Sequence, residues 1–207
     1  MSDLSTLVQG SPEWLHARLG KVTASRVADI VARTKTGYSA SRATYRAQLV
    51  CERLTGLPQD SFSNAAMDWG REQEANARAA YEFETSRTVD LVGFVQHPSY
   101  AMAGASPDGL IGEDGLIEIK CPQTSTHIET LLGKAVPGKY VAQMQWQMAC
   151  TGRAWCDFVS YDPRLPGHLQ LAIYRMERDE AHIEDLNRAV GEFLAEVESI
   201  LMQLEGL

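Results

Sequence analysis

The sequence has no apolar run approaching the roughly 18 residues that a membrane-spanning helix needs. Its first residues, Met1-Ser2-Asp3-Leu4, do not pair a basic segment with an apolar one. No secretory leader is therefore expected, and the cytoplasm is the default compartment. None of the four cysteines (Cys51, Cys121, Cys150, Cys156) stands at C-x₂-C spacing from another, and no histidine pair has zinc-ligand spacing. In a reducing compartment these thiols are expected to be buried and unpaired, with a four-cysteine iron–sulfur cluster as the alternative. Internal repeats, low-complexity tracts and obvious linkers are missing too, so residues 1–207 are read as one domain. Net positive charge is also lacking: the chain carries −8 at pH 7, which on average argues against a nucleic-acid protein. The distribution argues the other way. Arg18, Lys21, Arg26, Arg33, Lys35, Arg42, Arg46 and Arg53 are offset in their segment only by Asp29 and Glu52. A basic surface on an acidic body can bind phosphates.

Helix signals are clear. Ser11-Pro12 caps and opens a first helix. Further helices are expected over 24–32, 41–54, 64–83, 126–132, 139–151 and 180–204, with 34–40 as a polar loop. In the long helix over 64–83, Met67, Gly70, Glu74, Ala77 and Tyr81 share one face. Glu74 is the exception on that face: a carboxylate there must be paired, metal-bound or at a wet edge. Period-two patterning predicts strands over 88–96, 100–105, 116–121, 154–161 and 169–176. The order of elements predicts a mixed α/β sheet flanked by helices.

The chemistry concentrates in Ser106-Pro107-Asp108-Gly109 and Leu116-Ile117-Glu118-Ile119-Lys120. Glu118 and Lys120 lie two apart on a strand and so project from one face, while Ile117 and Ile119 point into a core. A Gly-Glu-Asp-Gly turn between the segments closes a hairpin that can bring Asp108 beside Glu118. Such hard oxygen donors suit Mg²⁺ or Mn²⁺, which would polarise a phosphate and activate water. Lys120 could orient or deprotonate that water, or stabilise developing charge. The competing reading is a Pro-Asp-Gly turn beside a solvent-facing ion pair.

The chain resembles the phage lambda exonuclease family of viral-type recombinases, within the PD-(D/E)xK superfamily, over approximately residues 14–180. The likeness is carried by Trp14-Leu15-His16-Ala17-Arg18-Leu19-Gly20, Val22-Thr23-Ala24-Ser25, Trp69-Gly70-Arg71-Glu72-Gln73-Glu74, Ser106-Pro107-Asp108-Gly109, Glu118-Ile119-Lys120-Cys121-Pro122, Tyr140-Val141-Ala142-Gln143-Met144-Gln145 and Tyr161-Asp162-Pro163-Arg164. The resemblance implies a restriction-endonuclease-like α/β fold. It implies a 5′→3′ exonuclease on double-stranded DNA that releases 5′-mononucleotides and leaves a 3′ single-stranded tail for recombination. It further implies Mg²⁺, as two ions with Mn²⁺ able to substitute, a homotrimeric ring, a single-strand-annealing protein as partner, and a phage or prophage origin in a bacterial host.

By position, the resemblance makes Asp108, Glu118 and Glu74 metal-binding carboxylates, with the main-chain oxygen of Ile119 as a further ligand and Lys120 as the catalytic lysine. It places Arg18, Ser25, Ser106 and Gln143 in a pocket for the 5′-phosphate, a chemistry suited to a guanidinium fork with neutral donors. Met67 falls where the family has an apolar wedge between base pairs, and core packing is its other reading. Lys35 falls where the family has a DNA-reaching arginine, and lysine lacks the planar fork. Arg42 and Arg46, four apart on a helix, could follow the DNA backbone or be solvated, and Tyr140 is a further expected DNA contact. The rival functions are a nicking or structure-specific endonuclease of the same superfamily and a non-catalytic DNA-end-binding module.

Overall fold

A computed structural model describes residues 3–59 and 65–207, and of residues 65–67 the backbone. The main sheet has the order β6 (Gly109–Ile111), β7 (Gly115–Lys120), β8 (Trp155–Tyr161) and β9 (Leu171–Glu177). β7 and β8 run parallel, whereas β6 and β9 pair antiparallel with them. A parallel pair needs a crossover, and here α5 (Thr124–Gly133) and α6 (Val141–Thr151) provide it. A smaller sheet has the order β1 (Val22–Thr23), β5 (Ala103–Ala105) and β4 (Val95–Gln96).

Both faces of the main sheet are covered, as a parallel central pair requires. On one face Ile117, Ile119 and Val159 pack with Ala77 and Tyr81 of α4 (Ala65–Thr85). On the other, Leu116, Cys156 and Phe158 pack with Met144 and Met148 of α6. A third cluster joins α2 (Val27–Val31), α3 (Ala40–Thr55), α6 and α7 (Glu180–Glu205) around Ile30, Tyr45, Leu49, Trp146, Val190 and Phe193. The mixed sheet with flanking helices matches the architecture that the order of elements predicts and the restriction-endonuclease-like α/β fold that the resemblance implies.

Local chemistry sets the helix ends. The Ser11 side chain accepts a hydrogen bond from Trp14 N at the start of α1 (Pro12–Arg18). Gly56 and Gly152 end α3 and α6 in the left-handed region, at φ of 66° and 71°. On α7 an apolar stripe buries Leu186, Val190, Phe193 and Val197, with Leu194 and Leu201 packed against them, while Leu204 is exposed.

Three expectations change. The polar loop at 34–40 is in part a small hairpin, β2 (Arg33–Thr34) with β3 (Gly37–Tyr38), and the Arg33 guanidinium lies over the Tyr38 ring. The strand expected over 88–96 reduces to β4 and an isolated bridge between Asp90 and Leu110. Among the cysteines Cys121, Cys150 and Cys156 are buried, but Cys51 is exposed because it sits on the outer face of α3.

Candidate active site

The hairpin of β6 and β7 positions the central groups. Gly109 pairs with Ile117, so Asp108, one residue before β6, comes opposite Glu118. The Asp108 carboxylate accepts a hydrogen bond from Ile119 N at 2.6 Å. Glu118 and Lys120 project from the same face of β7 and form an ion pair. That face is lined by α6: Gln143 Nε2 donates to Glu118 Oε1 and Gln147 Nε2 to Glu118 Oε2, each at 2.5 Å. Glu118 is 1% exposed, so its charge depends wholly on these partners. Lys120 Nζ also lies 5.4 Å from the Tyr140 ring centroid, and Tyr140 stacks on Phe158.

Glu74 approaches from α4. It is half-buried, with Arg78 one turn away at 3.9 Å. Burial raises its pKa and the Glu118 charge adds to the rise, while Arg78 and Lys120 oppose it. Asp108 is pushed well above the ordinary carboxylate range, first by burial and then by the charges of Glu118 and Glu74. Lys120 goes the other way from a lone buried lysine. Burial disfavours its charge, but Glu118 and Asp108 outweigh that and raise its pKa.

Among the described residues no three Asp, Glu, His or Cys side chains already stand as a finished ligand set. The donor chemistry nevertheless fits a hard divalent cation. Asp108, Glu118 and Glu74 feel one another's charge, and Ile119, whose N–H holds Asp108, brings a main-chain oxygen to the same stretch. Acids crowded this way are destabilised as anions until a cation enters, which reverses the local balance.

A second constellation adjoins the first. The Arg18 guanidinium lies 3.9 Å over the Trp14 ring, and Trp14 Nε1 donates to Ser106 Oγ at 3.0 Å. This chain of contacts leads from α1 to the loop that carries Asp108. Arg18 Nε is buried with no hydrogen-bond partner, an unfilled donor at a cationic group. Ser25, in the 3-10 turn after β1, is exposed, and its hydroxyl is 3.5 Å from Thr23 Oγ1. Gln143 is half-buried and already engaged by Glu118.

Other expected contacts scatter. Lys35 is exposed in the turn of the β2–β3 hairpin. Arg42 is turned inward instead of following a backbone: it is 3% exposed, donates to Ile30 O and pairs with Glu196. Its stem and guanidinium fit between Tyr38 and Phe193, an interior use of a long cation. Arg46 shares Glu196 but keeps partial exposure. The Met67 side chain lies outside the described residues. Gln147 was not anticipated; its signal is a polar residue inside a helix that is buried on every side from Met144 to Cys150.

Comparison with known proteins gives this geometry a context. A family model described as a YqaJ-like viral recombinase domain matches residues 13–154. The fold is similar to the crystal structure of an alkaline exonuclease, LHK-Exo, from Laribacter hongkongensis: 54% identity, TM-score 0.88, covering 94% of this chain and 96% of that one. A crystal structure of LHK-Exo in complex with dAMP matches at 53% identity and TM-score 0.89, with the same coverage of 94% and 96%. A phage-related exonuclease from Haemophilus somnus 129PT shares the fold at TM-score 0.72 with 15% identity, covering 89% of this chain and 96% of that one. No curated protein matches significantly.

Proposed function

The chain belongs to the YqaJ-like viral recombinase family, and from that premise we propose that it is a Mg²⁺-dependent 5′→3′ exonuclease acting on double-stranded DNA ends. It would release 5′-mononucleotides and leave a 3′ single strand for recombination by annealing. The observation that carries this reading is the β6–β7 hairpin: it holds Asp108 on Ile119 N, opposite a buried Glu118 paired with Lys120. Support comes also from LHK-Exo, an alkaline exonuclease crystallised with a deoxynucleoside monophosphate, the class of product expected here.

Asp108, Glu118, Glu74 and the Ile119 main-chain oxygen are the groups proposed to hold the cation, with two Mg²⁺ expected and Mn²⁺ able to substitute. When bound, the cation supplies charge that polarises the scissile phosphate and acidifies water. The protein's own part is placement. Lys120, kept protonated by its acidic neighbours, offers an ammonium to the negative charge that develops on the phosphate. Arg18, Ser25, Ser106 and Gln143 are the proposed receptor for the 5′-terminal phosphate. Trp14 steadies Arg18 from one face and Ser106 through its indole N–H, so that two receptor groups share one support. Each cleavage creates a new terminal phosphate, and its capture would advance the enzyme one nucleotide. Lys35, Arg46 and Tyr140 remain proposed contacts to DNA, and Met67 a proposed wedge. A trimeric ring and a single-strand-annealing partner complete the proposal.

The test is hydrolysis of linear duplex in Mg²⁺ by Asp108→Ala and Glu118→Ala variants, alongside DNA binding by gel shift. Lost hydrolysis with retained binding is expected. Substantial turnover by either variant would remove that residue from the cation site.

A further inference from the structure

The two oxygens of Glu118 are held very differently. Oε1 is shared by Gln143, which is half-buried, and Lys120, whose side chain is 29% exposed. Both partners reach the rim of the site and can be drawn away by an incoming ligand. Among the described residues Oε2 accepts from Gln147 alone, and Gln147 is 0% exposed, fixed in the interior of α6 between apolar neighbours. Gln143 and Gln147 are four residues apart, so one face of one helix grips both oxygens.

Gln147 holds that position at a cost. With its amide N–H committed to Glu118, its Oε1 is buried and has no hydrogen-bond partner. The amide cannot simply be turned over, because a carboxylate oxygen accepts and does not donate. An unpaired buried carbonyl is destabilising, and the N–H bond to the buried Glu118 carboxylate offsets that cost.

We infer that Gln147 is a positioning residue that ties down Glu118 Oε2, leaving Oε1 as the oxygen that meets the divalent cation. The inference rests on the reading that Glu118 holds a cation. In this arrangement Glu118 keeps one rotamer whether or not Gln143 and Lys120 remain on Oε1. The carboxylate then needs no reorganisation when a ligand takes their place.

The test uses the full chain without DNA and MnCl₂ alone as probe, titrated by calorimetry into wild type, Gln147→Met and Glu118→Gln. The metal-free unfolding midpoint of each is measured in urea. Gln147→Met is expected to weaken Mn²⁺ binding by about 10- to 100-fold, the range for removing an outer partner of a metal ligand. Its metal-free midpoint is expected to fall modestly, because buried Glu118 Oε2 loses its donor while the unpaired Gln147 carbonyl is removed. Unchanged Mn²⁺ affinity in Gln147→Met, with affinity lost in Glu118→Gln, overturns the positioning role alone. Unchanged affinity in both variants overturns the cation reading at Glu118 and the positioning role with it. A Gln147→Met chain with no cooperative urea transition has lost its packing, and that result also overturns the inference.

Discussion

Asp108 and Lys120 share one half-buried cluster of charge, and both hold their protons to higher pH in it. Burial and the neighbouring acids make the Asp108 anion costly, so its carboxyl holds a proton to higher pH than an exposed aspartate. A cation reverses that preference, and its binding should therefore expel a proton. Calorimetry of Mn²⁺ binding in buffers of different ionisation enthalpy should show proton release at pH values above the ordinary aspartate range, and Asp108→Asn should reduce it. Undiminished release in Asp108→Asn would assign the proton to another group. Arg18 offers a separate test. Losing a charge-assisted hydrogen bond to a phosphate typically costs about 1.5–3 kcal/mol. Arg18→Ala should therefore narrow the rate gap between 5′-phosphorylated and 5′-hydroxyl duplex ends by about tenfold or more. An unchanged gap would remove Arg18 from the phosphate receptor.

The element that matters most is the short β6–β7 hairpin, and its tolerance is small. A Cβ on Gly109 would lie 2.1 Å from Val89 Cγ1 and 3.2 Å from Ile117 Cγ2, so an alanine has no room. Gly109→Ala should destabilise the fold by about 1–3 kcal/mol in urea unfolding, the range for overpacking. It should also lower turnover, since it displaces the neighbour of Asp108; unaltered stability and turnover would mean the hairpin adapts freely. The sequence displays this hairpin only in part. Glu118 and Lys120 are legible because a six-residue strand carries a period of two, and Asp108 because Pro-Asp-Gly marks a turn. β6 itself has three residues and no period to read, and β2 and β3 have two each. Helices announce themselves through caps at Ser11, Gly56 and Gly152. Arg42 misleads because a helix-face arginine looks solvated until its partner, Glu196, arrives from 154 residues away. Gln147 is hidden for the same reason: its role depends on a carboxylate from another element.

Across the whole molecule, charge is arranged both to hold the fold and to meet DNA. Asp162, fully buried at the end of β8, accepts from Thr124 Oγ1 at 2.6 Å and from Arg164 Nε at 2.7 Å, which ties the start of α5 to the sheet. Burial favours its neutral form, but the hydrogen bonds from Arg164 and Thr124 outweigh this and lower its pKa to about 2. A carboxylate depressed in the folded state stabilises above its unfolded value near 4 and loses that contribution as pH falls toward 2. Unfolding free energy should therefore decline with acidification through this window, and less steeply in Asp162→Asn. Equal slopes would exclude the contribution. The net charge of −8 leaves DNA capture to local groups, for which Arg18, Lys35 and Lys120 are the proposed candidates, and not to an overall field. The most direct test of the account is digestion of a linear duplex with a single 5′-phosphorylated end and different labels on the two strands, in Mg²⁺. The phosphorylated strand should shorten from that end into mononucleotides while its complement survives intact. Survival of the phosphorylated strand with loss of its complement, or equal cutting of closed circular duplex, would contradict it.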